Sequence, residues 1–206
     1  MRERVLLTPF TQNILHPQYP DTTLVKLEEQ SENIEYTAKT FDIDPIKLKA
    51  IICVERTNNY SWQDEYFDDY PAKKGQNSSI GFCRVKMKTA YWIEYHLTDS
   101  TSEFYPGRKY KDILSISQSP QEIIDKLKDN RTNFLYASAY MRIIQSYWKS
   151  REYSIEDRVD TIATIFSYGM FSRQTGELLK FNANPQPNWF GLEIEDILQK
   201  IEMIDI

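Results

Sequence analysis

The chain has 206 residues, of which 41% are hydrophobic and 14% are aromatic, so it can bury the core of one ordinary domain and is not a disordered polymer. Its formal net charge of -5, with lysines and arginines scattered along the chain, argues against nucleic acid as a partner. The apolar runs are too short for a transmembrane segment, and two cysteines and two histidines do not predict a disulfide scaffold or a metal site.

Residues 1–23 hold three prolines and no helical period, and they are predicted to form an arm over a domain that spans residues 24–206. The apolar run VLL within the arm is too short for the core of a secretory signal. The sequence leaves open whether the protein is made without a signal or has lost a leader, so its localisation is not predicted.

The domain is predicted to be mainly α-helical with one small β-hairpin. Periodicity and capping residues predict helices over residues 24–41, 44–56, 89–96, 120–128, 130–148, 154–169 and 192–201. The capping signals are Asp44 before Pro45, and Ser154 three residues before Asp157. The segment NSSIGFCRVK is short enough for the hairpin, whereas TDSTSEFYPGRKY and NANPQPNWFG are predicted loops.

One glutamate occupies an unexpected position in the helix that begins at Pro45. Leu48, Ile51 and Ile52 form an apolar stripe, and Glu55 takes the next position along it. Apolar surroundings and the negative end of the helix dipole would both raise the pKa of this carboxyl group. A carboxyl group that stays protonated near neutral pH is what a general acid requires. A glutamate at a helix end can equally pair with a neighbouring cation, so the stripe alone does not decide.

Four blocks of sequence, in order, resemble those of the lysozyme-like lytic transglycosylases and goose-type lysozyme. They are DPIKLKAIICVERTNN, SSIGFCRVK, NFLYASAYMRIIQSY and IATIFSYGMFSR. The residues that match are Glu55 in the first block; Ser78 or Ser79, Gly81, Phe82, Cys83, Arg84 and Val85 in the hairpin; Asn133, Phe134 and Ala137 in the third; and Phe166, Ser167, Tyr168 and Gly169 in the fourth. The resemblance implies a lysozyme-like helical domain with the hairpin beside the catalytic helix.

The sequence departs from the family pattern at several matched positions. Arg56 replaces the serine that usually follows the glutamate, Arg84 replaces the hairpin glutamine, and Phe166–Ser167 replaces a tyrosine–asparagine pair. The gap between Glu55 and Gly81 is also longer than is typical. These changes imply that cleavage is altered, narrowed to an unusual substrate, or lost.

The resemblance implies cleavage of peptidoglycan between N-acetylmuramic acid and N-acetylglucosamine, with Glu55 as general acid and base and without a cofactor or metal. A lytic transglycosylase needs no second carboxylate, whereas a hydrolase commonly uses one to activate water. The insertion WQDEYFDDYPAKKG offers Asp64, Glu65, Asp68 and Asp69 for that role, although such a run is also typical of a solvated acidic loop. The lyase is favoured because only one acid is identified.

The same resemblance implies a substrate groove formed by Ser79, Gly81, Phe82, Arg84, Phe166 and Tyr168. Arg84 can hydrogen-bond sugar amides or carboxylates, or it can pair with Glu55 and lower the pKa of that group. Gly81 can allow close approach of the substrate or serve an ordinary hairpin turn. Tyr168 can supply a hydroxyl to the groove or belong to the core. Cys53 and Cys83 fall in adjacent blocks, and they can form a disulfide or remain two buried free thiols.

The partner implied by this reading is the glycan strand of peptidoglycan, so the protein would act in the periplasm or outside the cell. Protein partners are not predicted. Two other hypotheses remain open. The chain can be a lysozyme-fold module that binds glycan or a protein without cutting it, or an unrelated helical interaction protein.

Overall fold

A computed structural model describes residues 20–59, 78–172 and 174–204. The described chain is mainly helical and contains a two-stranded antiparallel sheet, which confirms the predicted fold class at that level. Its elements are α1 (Pro20–Glu28), α2 (Ser31–Thr40), α3 (Pro45–Asn59), β1 (Ser79–Ile80), β2 (Val85–Lys86), α4 (Met87–Thr98), α5 (Pro120–Lys128), α6 (Asn130–Lys149), α7 (Val159–Tyr168), α8 (Trp189–Leu192) and α9 (Ile194–Ile204), with a 3-10 turn over Arg108–Tyr110.

The predicted helix over residues 24–41 is two helices, α1 and α2, separated by a turn. The chain leaves α1 because the N–H of Gln30 donates to the carbonyl of Leu27 (3.0 Å), and the hydroxyl of Ser31 donates to the carboxylate of Glu28 (3.0 Å). Helix α1 also begins earlier than predicted, so residues 20–23 are helical and Thr23 is buried. The rest of the predicted arm, residues 1–19, lies outside the described residues.

Helix α3 begins where its capping signal predicts. The carboxylate of Asp44 accepts hydrogen bonds from the N–H groups of Ile46 (2.9 Å) and Lys47 (3.4 Å), which satisfies donors that the first turn leaves open. The three apolar residues of the predicted stripe are fully buried. The helix packs against α1, α2, α7 and α9, and it extends to Asn59, three residues past the predicted end.

Helix α6 is the centre of the packing, because it contacts α2, α4, α5, α7 and β2. It is capped by Asp129, whose carboxylate accepts from the N–H of Thr132 (2.8 Å). Helix α5 is capped by Ser119, which accepts from the N–H of Glu122 (3.2 Å), and Pro120 occupies its first turn. Both helices therefore begin at the predicted residues.

The hairpin pairs Ser79 with Lys86 and Ile80 with Val85, and its turn has positive φ at Gly81 (+74°) and at Arg84 (+57°). A Cβ atom at position 81 would collide with the main-chain carbonyl of Leu127. Gly81 was predicted either to allow close approach of the substrate or to serve a hairpin turn, and the structure supports a turn that packs tightly against the end of α5.

The capping signal at Ser154 is wrong, since α7 begins at Val159. The carbonyl of Glu156, which a helix starting at 154 would use, instead accepts from the ammonium group of Lys47 (2.8 Å). Arg158 is held by the carbonyl of Pro185 (2.6 Å). Before α7 the chain makes a turn instead, closed by the N–H of Arg158 donating to the carbonyl of Ile155 (2.9 Å), and these long-range contacts hold that turn in place.

The C-terminal elements also differ from prediction. The side chain of Asn188 caps the short helix α8 inside the predicted loop, accepting from the N–H groups of Phe190 (3.0 Å) and Gly191 (3.1 Å). Helix α9 follows, from Ile194 to Ile204, rather than over residues 192–201. Across the described ranges, no helix combines the length and apolar composition that a membrane crossing requires.

Candidate functional site

A cavity of about 510 Å³, here called the Glu55 cavity, opens between α3, the hairpin, α4, α6 and the end of α7. Its lining residues come from separate parts of the chain: Glu55; residues 83–86, 88, 89, 92 and 93; residues 136, 137 and 140; and residues 166–172 with 176. All four sequence blocks that carry the family resemblance therefore contribute residues to one cavity.

Glu55 lies in the last turns of α3, directly after the buried apolar stripe. Its side chain is partly buried, and its Oε2 atom is buried. Among the described residues that line the cavity, it is the only carboxyl group. The position predicted from helical spacing thus places one carboxyl group in the wall of an open cavity.

The hairpin is positioned by Asn133, which is fully buried near the start of α6. Its side-chain amide donates to the carbonyls of Ile80 (3.1 Å) and Leu127 (2.9 Å), and its oxygen accepts from the N–H of Cys83 (2.6 Å). Asn133 therefore holds the hairpin turn on both sides, at Ile80 and at Cys83, and attaches it to α6, which contributes residues to the cavity lining.

Arg56, the residue after Glu55, joins α3 to the same hairpin. Its guanidinium group donates to the carbonyl of Phe82 (2.8 Å) and lies 4.1 Å from the centre of the Phe82 ring. That ring packs in turn against Phe134 on α6, with ring centres 5.3 Å apart. Arg56 is only 5% exposed, so this contact is part of the packed structure around Glu55.

Aromatic side chains form one wall of the Glu55 cavity. Trp92 makes edge contacts with Tyr140 and Phe171, each with ring centres 5.9 Å apart, and Tyr140 lies 5.3 Å from Phe166. Burial raises the pKa of the Tyr140 hydroxyl, which keeps it protonated. Tyr168 is 47% exposed at the rim. Flat apolar faces of this kind can stack against sugar rings.

The lining also contains three cations, Arg84, Lys86 and Lys88, here called the cationic wall. Val85 and Met87, which alternate with them, are buried. Arg84 belongs to the hairpin turn, Lys86 to β2 and Lys88 to the first turn of α4, so no single period groups these cations, and Lys86 and Lys88 were not predicted from the sequence. Trp92 and Tyr140 were also not predicted from the sequence.

A buried polar cluster supports the cavity floor through Tyr136. The Tyr136 hydroxyl donates to the carboxylate of Glu94, which is fully buried and also accepts from the N–H of Ser117 (2.7 Å) and from Lys126 (3.2 Å). Burial, followed by the contact with Glu94, raises the pKa of the Tyr136 hydroxyl. Glu94 continues the buried face of α4, so helical spacing was the signal that could have found it.

The structure brings only part of the predicted groove together. Arg84, Phe166 and Tyr168 line the Glu55 cavity, whereas Gly81 and Phe82 line a second cavity of about 410 Å³, which Arg84 also lines. Ser79 lies in β1 and lines neither cavity. The candidate second carboxylates Asp64, Asp68 and Asp69 lie outside the described residues.

The two cysteines are free thiols, and both are buried, so the disulfide alternative is wrong. Burial raises the pKa of the Cys83 thiol well above its usual range, so this group in the cavity wall stays protonated. Within the described parts of the chain, no three side chains of His, Cys, Asp or Glu are grouped in a way that could hold a metal ion.

No protein-family model matches this sequence, and no curated protein matches it at a significant level. Functional inference therefore depends on the geometry of the two cavities and on the residues that line them.

Proposed function

We propose that the protein is a peptidoglycan-cleaving muramidase with a lysozyme-like fold, in which Glu55 is the general acid and base. The observation that carries this proposal is the convergence of four separated sequence blocks on one cavity, with Glu55 as the only carboxyl group among its described lining residues. The aromatic wall gives faces for sugar rings, and the cationic wall gives partners for carboxylates of the substrate.

The proposed reaction uses Glu55 twice. Its proton passes to the glycosidic oxygen as the bond from that oxygen to C1 of the muramic sugar breaks, and the bonding electrons leave with the oxygen. The C6 hydroxyl of the same sugar then attacks C1, and its proton returns to Glu55. The products are a 1,6-anhydro end and a free hydroxyl, and no water is consumed.

The lyase is the favoured form of this proposal because the described lining supplies one carboxyl group and not two. Asp64, Asp68 and Asp69 remain the candidates for a water-activating base, and that role stays a prediction.

The departures from the family pattern also have roles in this proposal. Arg56 fixes the hairpin, and Tyr168 presents a hydroxyl at the rim, two residues after Phe166.

The test compares wild type, Glu55→Gln and the control Glu35→Gln on purified peptidoglycan by release of labelled fragments. Glu35 is exposed on α2 and lines neither cavity. We expect release by wild type and Glu35→Gln, and a loss of at least about a hundredfold in Glu55→Gln, since a general acid contributes roughly 10²–10⁴ in rate. Equal melting temperatures for the three proteins would exclude unfolding. Equal release by Glu55→Gln would contradict the proposal.

A second candidate is a lysozyme-fold module that binds glycan without cutting it. The observation in its favour is that Arg84, a potential ion-pair partner for Glu55, lines the same cavity. This candidate predicts that wild type and Glu55→Gln bind peptidoglycan equally and that neither releases fragments. If Arg84→Gln then releases fragments, the arginine is the cause of the lost cleavage.

A further inference from the structure

The hydroxyl group of Tyr140 has no hydrogen-bond partner among the described residues, although the side chain is only 7% exposed. The other tyrosine of α6 that lines the Glu55 cavity, Tyr136, donates its hydroxyl to the buried carboxylate of Glu94. Burial alone raises the pKa of the Tyr140 hydroxyl, whereas the contact with Glu94 contributes to the raised pKa of Tyr136. Buried hydroxyl groups in folded proteins are nearly always hydrogen-bonded, so the Tyr140 hydroxyl requires an explanation.

The position of this hydroxyl separates it from the unpaired groups of the core. The hydroxyl groups of Ser138 and Thr161 are also buried without a partner in the described chain, but neither residue lines either cavity. Tyr140 lines the Glu55 cavity, so a hydrogen-bond partner can reach its hydroxyl from there.

Gly169 leaves the space beside the Tyr140 hydroxyl open. This glycine follows α7, lines the same cavity and has a φ of +81°. A Cβ atom at position 169 would lie 4.0 Å from the Tyr140 oxygen and, its chain neighbours aside, would meet no other described atom within 4 Å. Because residue 169 has no side chain, a ligand group can approach the hydroxyl from this side.

Two neighbouring rings hold Tyr140 in one orientation. Trp92 of α4 meets the tyrosine ring edge-on, with ring centres 5.9 Å apart and planes at 87°, and Phe166 of α7 lies 5.3 Å away. Contacts from two other helices therefore fix the direction of the hydroxyl before any ligand binds. A group held in this way loses little conformational entropy when it forms a hydrogen bond to a ligand.

The chemistry of this part of the lining suits an uncharged ligand group. A protonated tyrosine hydroxyl donates one hydrogen bond and can accept another, and it needs no charge on its partner. The rings of Trp92, Phe166 and Phe171 line the same part of the cavity and favour a flat apolar surface. A ring with apolar faces and uncharged oxygens along its edge satisfies both requirements, and a pyranose sugar is such a ring.

We propose that the Tyr140 hydroxyl donates a hydrogen bond to an uncharged oxygen of a sugar ring bound in the Glu55 cavity. Tyr140 is then a binding residue, because the ligand supplies the partner that the described protein does not. The identification of this sugar with the glycan strand rests on the proposed function, whereas the contact itself does not require cleavage.

The stability test compares Tyr140→Phe with Tyr136→Phe by thermal unfolding without sugar. Each change removes one hydroxyl group from the same face of α6, and both residues line the cavity. We expect Tyr140→Phe to change Tm by less than about 2 °C, and Tyr136→Phe to lower it by at least about 4 °C, because only Tyr136 loses a bond to a buried carboxylate. An equal decrease in both would show that the protein already satisfies the Tyr140 hydroxyl, and would overturn the proposal.

The binding test uses Glu55→Gln, which lacks the proposed acid, and an uncharged probe, the tetramer of β-1,4-linked N-acetylglucosamine, by calorimetry. Adding Tyr140→Phe should raise the Kd of the tetramer about fivefold, since one hydrogen bond between neutral groups is lost. The matched control adds Tyr153→Phe, which removes the hydroxyl of an exposed tyrosine that lines neither cavity, and it should leave the Kd unchanged.

Three binding results would overturn the Tyr140 contact. The first is an equal Kd with and without the Tyr140 hydroxyl, the second is an increase of the same size in the Tyr153→Phe control, and the third is a failure of the tetramer to bind Glu55→Gln. If the tetramer binds and its Kd depends on Tyr140 but wild type cuts no peptidoglycan, the muramidase proposal fails and the contact stands. If wild type cuts peptidoglycan and the Kd does not depend on Tyr140, the contact fails and the muramidase proposal stands.

Discussion

At the scale of single residues, Asn133 links the hairpin to the helical core through three hydrogen bonds. Replacing it with alanine would leave one N–H and two carbonyl groups without these bonds in a buried place, and each such group costs about 1–3 kcal/mol. We expect Asn133→Ala to lower the free energy of unfolding by about 3 kcal/mol in urea denaturation. The control Gln121→Ala, at an exposed position, should change it by less than about 0.5 kcal/mol. Similar values for both would contradict the role of Asn133.

Gly81 and Gly176 form a matched pair, because their φ angles are +74° and +72°. A Cβ at Gly81 would collide with Leu127 and lie 2.6 Å from the side chain of Asn133, whereas a Cβ at Gly176 would meet nothing within 4 Å. We expect Gly176→Ala to lower the free energy of unfolding by about 1 kcal/mol, because only the strained backbone conformation of the new residue contributes.

For Gly81→Ala, we expect a cost of at least about 3 kcal/mol, because the hairpin must also move away from α5 and α6. Thermal unfolding of the two variants checks both values. A cost at Gly81 equal to that at Gly176 would show that the close contact does not matter.

His96 makes stability depend on pH. Burial lowers the pKa of His96 from 6.5 to about 4, and the ring lies against Trp92 with centres 4.4 Å apart and contacts the hydroxyl of Ser102. The neighbouring Asp99 acts in the opposite direction and raises the pKa by a smaller amount. Because the folded state binds this proton less readily than the unfolded chain, the contribution of His96 is complete above pH 6.5 and is lost as the pH falls toward 4.

We therefore expect the stability difference between wild type and His96→Gln to change by about 2 kcal/mol between pH 7 and pH 4, since the ring is partly exposed. Urea denaturation at several pH values measures it. A difference that stays constant over this range would contradict the neutral state of the half-buried His96 ring.

At the scale of elements, Glu94 and Lys126 connect α4 to α5, with Ser117 from the segment between them and Tyr136 from α6. Removing the cation leaves a buried carboxylate without its counter-charge, so Lys126→Met should destabilise the fold by about 3 kcal/mol. In a Glu94→Gln background the same change should cost less than about 1 kcal/mol, because no buried charge remains. Additive effects in this double-mutant cycle would contradict the coupling.

The elements that sequence alone predicted are those whose ends are set by local chemistry. The cap at Asp44 lies next to the donors that it satisfies, so a short-range pattern identified it, and the caps at Ser119 and Asp129, which were not predicted as caps, are equally local. The start of α7 depends on Lys47, more than a hundred residues away, which takes the carbonyl of Glu156. No local pattern contains that information.

The same difference between local and long-range contacts explains which residues of the candidate site could be predicted. Glu55 could be predicted because its position depends on the period of one helix. The separation of Gly81 and Phe82 from the Glu55 cavity depends on how Asn133 holds the hairpin turn, which is a tertiary contact. The aromatic wall combines Trp92 on α4, Tyr140 on α6 and Phe166 on α7, so it exists only after these helices pack.

At the scale of the whole molecule, the charge is unevenly distributed. The net charge of -5 would repel an anionic cell wall at long range, but salt screens such repulsion beyond about 10 Å at roughly 0.1 M. In the proposed function, the cations that line the two cavities lie within that distance of a bound strand. Such a strand is expected to lie against the hairpin, because Arg84 of the hairpin lines both cavities.

Whether Glu55 is the catalytic acid is decided by mass spectrometry of the fragments that wild type and Glu55→Gln release from peptidoglycan in ¹⁸O-labelled water. We expect anhydro-ended fragments without ¹⁸O from wild type, and no fragments from Glu55→Gln. Reducing ends that carry ¹⁸O would show that water is the acceptor and that a second base acts. Release of no fragments by wild type, from walls of several types, would contradict the assignment of Glu55 as a catalytic acid.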